Sequence, residues 1–224
     1  MGIPSAKYLV VTEENYRHNP TETEEKISAL GTVVLKPARL GSSIGISLVK
    51  SREEIGKKLQ EAFRFDRTLL VEEYLPDKRD INCAVYTADG EIVVSECEEP
   101  LSAEDILSFR EKYLEGGKTR RADFPANIPK EISEEIKETT KRLYAELQFS
   151  GMVRADYILS DGKVYFNELN TVPGSLAYYL FTPKISGAKK LFSDLIEEGI
   201  RRKEKLPAIP TTGILEKSCF VGCK

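Results

Sequence analysis

Histidine is nearly absent from this 224-residue chain: His18 is the only one, and it sits in a polar segment. A Ser/His/Asp hydrolase needs an imidazole as its base, so that class is disfavoured. Cysteine is scarce as well. Cys83, Cys97, Cys219 and Cys223 show no zinc-ligand spacing and have one histidine to help them. Cys219 and Cys223 could be redox-active, but the plainer reading is four cytosolic thiols. Neither sign of charge is in excess, with 33 Lys and Arg against 36 Asp and Glu, which argues against an electrostatically driven nucleic-acid binder. No apolar run approaches membrane-spanning length, and the amino terminus lacks the charged and apolar blocks of a signal peptide. The expected setting is therefore the cytoplasm, with no nucleic-acid or membrane partner. No internal repeat or low-complexity tract is visible.

What is present centres on Gly151 to Gly174, GMVRADYILSDGKVYFNELNTVPG. Two alternating apolar runs flank Asp161-Gly162, a strong turn signal, and predict an antiparallel hairpin. Arg154 and Asp156 share one face of the first strand, Glu168 and Asn170 one face of the second. A three-residue loop at Asp161, Gly162 and Lys163 would set Asp156 opposite Glu168 and Arg154 opposite Asn170. A two-residue loop would send the pairs to opposite faces. The three-residue loop is the expectation, because two carboxylates, an amide oxygen and a guanidinium on one surface suit Mg²⁺ bridging phosphate oxygens. The bland alternative is a surface ion-pair ladder.

Upstream, Tyr8 to Thr12 is strand-like, residues 13–29 can form an acidic helix after Pro20, and Thr32 to Lys36 reads as a buried strand. Lys36 can hold its ammonium over a phosphate or be a solvated surface charge. The loop Leu40 to Ile46 lets backbone N–H groups and the hydroxyls of Ser42 and Ser43 approach phosphates, yet lacks the Gly-Lys-Ser/Thr ending of a Walker loop. Ser51 and Glu54 mark a helix start, and that helix should end near Phe65. Thr68 to Leu75 predicts a strand with Glu72 and Glu73 at its exit, either facing a nucleotide or solvated at an edge. Asp80 to Tyr86 and Glu91 to Cys97 form a second hairpin across Asp89-Gly90. Residues 98–125 suit an active-site lid, with Lys112 its residue of interest. Pro129 opens a helix with Ile132, Ile136, Leu143, Tyr144 and Leu147 buried, and Pro183 opens a last one with Ile185, Leu191, Phe192, Leu195 and Ile196 on its apolar face. The Gly174 amide, in the turn after Asn170, can point at a developing oxyanion.

In that order, Lys36, the Gly41 to Gly45 loop, Glu72-Glu73-Tyr74-Leu75, Lys112-Tyr113, Arg154-x-Asp156 and Glu168-x-Asn170-Thr171-x-Pro173-Gly174 resemble the ATP-grasp superfamily. Within it the D-alanine–D-alanine ligases are most similar, over about residues 2–198. The resemblance implies an α+β fold whose two subdomains, residues 10–75 and 76–206, hold ATP between antiparallel sheets, the lid being about 98–125. Residues 1–9 would follow a missing N-terminal domain, and 207–224 would be a loosely ordered tail. It implies ATP and Mg²⁺ (or Mn²⁺), two ions, as cofactors. Lys36 would contact the phosphates, with Gly41, Ser42 and Ser43 closing over them; Glu72, Glu73 and Leu75 would line the adenine pocket. Asp80 stands in for a ribose-binding glutamate, one methylene shorter. Lys112 would approach the γ-phosphate; Asp156, Glu168 and Asn170 would ligate metal; and Arg154, with the Gly174 amide and Ser42, would stabilise transferred groups. Ser175, Tyr179 and Leu180 stand where the second substrate's carboxylate is held.

The implied reaction is a carboxylate–amine ligation through an acyl phosphate, in cell-wall precursor synthesis, acting on small amino acids. Three departures qualify it. The resemblance implies an N-terminal domain carrying a glutamate and a further lysine, ending just before Met1-Gly2-Ile3-Pro4, so the chain is expected to be an excised or truncated portion, such as a nucleotide-binding fragment, or a protein whose separate partner supplies that domain. Phe109 replaces a lid tyrosine, and Tyr179 alters the acceptor site, leaving a ligase for other amino acids or peptides open. A homodimer is compatible with the resemblance.

Overall fold

The computed structural model describes residues 1–41, 43–101, 122–182 and 184–205. The architecture is α+β, with two separate four-stranded antiparallel sheets and helices packed on them. The small sheet runs β1-β4-β2-β3, from Tyr8–Thr12 (β1), Val33–Pro37 (β2), Ser47–Val49 (β3) and Thr68–Glu73 (β4). The large sheet runs β10-β9-β5-β6, from Arg79–Ala88 (β5), Glu91–Val94 (β6), Val153–Ser160 (β9) and Lys163–Asn170 (β10). A short ladder of Glu99–Pro100 (β7) with Ala122–Asp123 (β8) joins the two ends of the segment expected to be a lid. The interior of that segment, Lys112 and Phe109 included, lies outside the described residues, as do Ser42, Pro183, Cys219, Cys223 and the tail.

Period-two burial builds the small subdomain's core. Val33, Leu35, Leu69 and Val71 turn inward against Ile27 of Pro20–Ser28 (α2) and against Ile55 and Leu59 of Arg52–Ala62 (α3). Glu13–His18 (α1) is a separate turn of helix, because Asn19 precedes Pro20 and leaves the helical region at φ −134°, ψ 60°. In the large sheet, Ile81, Cys83, Ala155, Tyr157, Leu159 and Val164 face Ile136 of Lys130–Glu146 (α4). On the opposite face, Ala84, Tyr86 and Met152 are covered by Leu180 and by Leu191 of Lys189–Lys205 (α5), while the rest of that face looks towards the small sheet. Cys83 and Cys97 are buried free thiols.

Three apolar residues expected inside lie outside. Leu147 caps α4 at 49% exposure. Ile185, in a 3-10 turn before α5, and Ile196 are each 63% exposed, because α5 presents only a narrow stripe to the sheet.

Two residues fix the glycine-rich loop between β2 and β3. Gly45 has φ +74°, and a Cβ there would come within 2.9 Å of Pro37 Cγ and 3.0 Å of the Phe65 ring. Asp66, with a side chain only 4% exposed, accepts from the Thr68 and Arg39 backbone N–H groups at 3.0 and 2.7 Å and from the Arg39 guanidinium at 2.6 Å. Those bonds, the Thr68 N–H first, hold its carboxyl below the ordinary 3.8. Gly45→Ala should destabilise the fold by about 3 kcal/mol in urea unfolding, from positive φ plus overpacking. Asp66→Asn should lower the urea midpoint at pH 7. Because the folded-state pKa is depressed, that difference should persist above pH 3.8 and close as pH falls through the folded-state value.

Candidate nucleotide and metal site

Both Asp-Gly turns close two-residue hairpins with positive φ at both positions, 50° and 86° at Asp89-Gly90 and 50° and 71° at Asp161-Gly162. The three-residue loop expected at Asp161 is therefore not formed: Ser160 pairs with Lys163. Continued regularly, that register would turn Glu168 and Asn170 away from Asp156. Instead a register shift between Phe166 and Glu168 makes Asn167 an extra residue in β10, a β-bulge. Val164 and Phe166 pair with Leu159 and Tyr157 on the core face; beyond the bulge, Glu168 and Asn170 pair with Asp156 and Arg154 on the cleft face. The expected pairing is thus reached by a different route.

β5 completes the row, since Asn82 lies opposite Asp156 and Ala84 opposite Arg154. Arg154 grips Asp156 with two hydrogen bonds, Nε to Oδ1 at 2.6 Å and Nη2 to Oδ2 at 2.7 Å. The two side chains are 17% and 13% exposed. Burial pushes the Asp156 carboxyl up, and the nearby charges of Glu168 and Asp80 push the same way against the pull of Arg154. Burial opposes the Arg154 charge too, but the Asp156 carboxylate outweighs it and holds the guanidinium above its ordinary value. The site is therefore a negatively biased oxygen cluster with one built-in cation.

Asn170 Nδ2 donates to Asp156 Oδ2 at 2.9 Å and to Glu168 Oε1 at 3.3 Å, so the three expected metal ligands meet around one point. Half a turn of the amide would present its oxygen instead of its nitrogen. Two carboxylates and an amide oxygen then form a hard donor set with its exposed side at Glu168, leaving room for phosphate oxygens and water, as Mg²⁺ requires. Among the described residues no three His, Cys, Asp or Glu side chains cluster closely enough to hold an ion by themselves, so a cation here would need Asn170 as a ligand.

Facing this row, Lys36 of β2 donates to Glu72 Oε2 of β4 at 2.6 Å and to Asn167 Oδ1 at 2.9 Å, bridging the two sheets. A crevice of about 220 Å³ lies alongside, lined from the small sheet by Tyr8, Leu70 and Glu72 and from the large one by Ile158, Tyr165 and Asn167. Glu73 points to the other face of β4, where its carboxylate accepts the Lys7 N–H at 2.8 Å. Leu75 is half-buried just beyond β4. Asp80 lies on the cleft face with both oxygens 2.9 Å from the Lys78 ammonium. In the glycine loop Gly41 is exposed and Ser43 is half-buried at φ 60°.

Past Pro173, Gly174 and Ser175 are exposed, and Ser175, Leu176 and Ala177 all have positive φ, between 47° and 53°. Arg154 Nη1 reaches the Tyr179 hydroxyl at 3.4 Å, joining this turn to the row. The Leu180 side chain is packed in the core at 1% exposure, so only its backbone is left to meet a ligand. Two further residues, Asn82 in the row and Asn167 at the bulge, are not among those the sequence marks. For Asn82 no local signal exists; for Asn167 there was one, the switch of apolar residues from positions 164 and 166 to position 169.

The family model "D-ala D-ala ligase C-terminus" matches residues 1–201. The D-alanine–D-alanine ligase of Thermosipho africanus is 36% identical over 201 residues, 89% of this chain and 53% of that protein. That of Campylobacter jejuni subsp. jejuni is 39% identical over 182 residues, 81% of this chain and 49% of that protein. The chain spans about half the length of the curated relatives it matches. Among solved structures, D-alanyl-alanine synthetase A from Vibrio cholerae superposes with a TM-score of 0.73 at 25% identity, covering 88% of this chain and 61% of that one. The VanG D-Ala:D-Ser ligase from Enterococcus faecalis does so at 0.68 and 28%, covering 89% and 57%.

Removing one member of a buried ion pair leaves the other uncompensated. Arg154→Met should cost about 3 kcal/mol in urea unfolding, and adding Asp156→Asn to the same chain should recover part of that loss.

Proposed function

Because the chain belongs to the D-ala D-ala ligase C-terminal family, we propose that it forms the nucleotide- and metal-binding part of an ATP-dependent carboxylate–amine ligase that joins D-alanine to an amino-acid acceptor. One observation carries the reading: Arg154, Asp156, Glu168 and Asn170 share the face of the large sheet that Lys36 approaches from the small one. ATP would lie between the sheets, its phosphates towards Lys36 and the glycine loop.

In the reaction so assigned, a substrate carboxylate oxygen attacks the γ-phosphorus, the bond to the ADP oxygen breaks, and an acyl phosphate forms. An amine then attacks the acyl carbon, the bond to the phosphate oxygen breaks, inorganic phosphate leaves, and the nitrogen gives up a proton to solvent. Asp156, Glu168 and Asn170 would hold a divalent cation, or two, whose charge offsets that of the triphosphate. Arg154, preorientated by Asp156, offers its guanidinium to the charge that develops on the transferred phosphoryl oxygens. Lys36 supplies a second cation from the opposite wall. None of these groups acts as a covalent nucleophile; positioning and charge compensation suffice for phosphoryl transfer. Tyr179, in contact with Arg154, would be the residue that reads an acceptor carboxylate.

The test is direct. The chain should bind ATP in a Mg²⁺-dependent way by calorimetry and release phosphate when D-alanine is supplied. Glu168→Gln should abolish the Mg²⁺-dependent release, by at least about a hundredfold, without moving the melting temperature. Undiminished turnover in that variant would remove the metal assignment. ATP binding without phosphate release would confine the chain to nucleotide binding, with turnover requiring the remainder of the relatives' length.

A further inference from the structure

Asn167 is none of the expected metal, nucleotide or substrate residues, yet its side chain hydrogen-bonds across from the large sheet to Lys36 of the small one. As the inserted residue of the β10 bulge, it leaves the strand's regular alternation. Its amide oxygen accepts a hydrogen bond from a lysine 131 residues away in the chain. The Lys36 ammonium has three N–H donors on a flexible four-carbon stem. One goes to Glu72 at 2.6 Å and one to Asn167 at 2.9 Å, leaving the third for a further acceptor.

We propose that Asn167 is a positioning residue for Lys36: its amide oxygen, placed by the bulge, holds the ammonium on the large-sheet side of the cleft, directed at a polyphosphate beside the Asp156–Glu168–Asn170 cluster. The inference rests on the nucleotide reading above and adds to it a residue with its own role. Two partners from two sheets restrict a side chain that would otherwise sample many rotamers, so much of its ordering precedes ligand arrival. The chemistry of the second partner matters as well. Glu72 already compensates the ammonium, and a second carboxylate would add a negative charge facing the incoming phosphates. An amide provides the acceptor without the charge. The bulge accordingly has two effects at one position: it returns Glu168 and Asn170 to the Asp156 face, and it presents Asn167 to Lys36.

The experiment is a double-mutant cycle on the full 224-residue chain, with MgATP titrated by calorimetry and melting temperature recorded alongside. Asn167→Leu keeps the side chain's size and removes the acceptor; Asn167→Ala serves as an independent second variant, since the inserted backbone residue remains in both. Each should weaken MgATP binding about tenfold. In a Lys36→Met background, the same Asn167 substitutions should add less than about twofold, because the group they position is gone. A purely structural role predicts the opposite, equal losses with and without Lys36, and that result would overturn the proposal. Wild-type affinity in both single variants would overturn it too, while leaving the nucleotide reading in place. A wild-type chain that binds no MgATP would defeat both together.

Discussion

Arg154 and Asp156, two residues apart on one strand face, neutralise each other in a largely buried setting, and the rest of the site is arranged around that charge balance. A carboxylate that deep would otherwise be driven towards its protonated form by burial and by Glu168 and Asp80. The guanidinium opposes that upward push and so favours the anionic form at the cleft. It is itself held in one orientation, with two of its nitrogens on Asp156 and a third near Tyr179. Stability and the proposed chemistry thus draw on the same two hydrogen bonds.

The surroundings separate wet from dry along a single sheet face. Towards one end, Ala84, Tyr86 and Met152 are sealed by the turn after Pro173 and by α5. Towards the other, Asp80, Asp156 and Glu168 face the small sheet and solvent. The Arg154 row lies at this boundary, where apolar cover lowers the local dielectric without closing the site. The turn over it contains three consecutive residues at positive φ, a sparsely populated backbone conformation held beside Tyr179.

The small sheet supplies the opposing wall. Its alternation sends Val33, Leu35, Leu69 and Val71 into the helices and leaves Lys36, Leu70 and Glu72 on the cleft side. The Gly45 and Asp66 constraints hold the loop that follows β2, so the lysine and the loop leave the sheet from one end.

Much of this was legible from residue order alone. Alternation located most strands, the two Asp-Gly pairs located their turns, and Pro20 and Pro129 located helix starts, because these signals are local and steric. The polar row of the hairpin was legible too: carboxylates, an amide and an arginine at period-two spacing. What could not be read locally was where the extra residue of β10 would go. Turn chemistry favoured two residues at Asp161-Gly162, packing of Val164 and Phe166 against the core demanded one parity, and pairing of Glu168 with Asp156 demanded the other. Only a bulge at Asn167 satisfies all three. The strand pairing of Asn82 with Asp156 and the hydrogen bond of Asn167 with Lys36 join segments 74 and 131 residues apart. Periodicity assigns a side chain to a face of its own strand; which strand lies alongside, and in what register, is decided when the cores of the two subdomains pack.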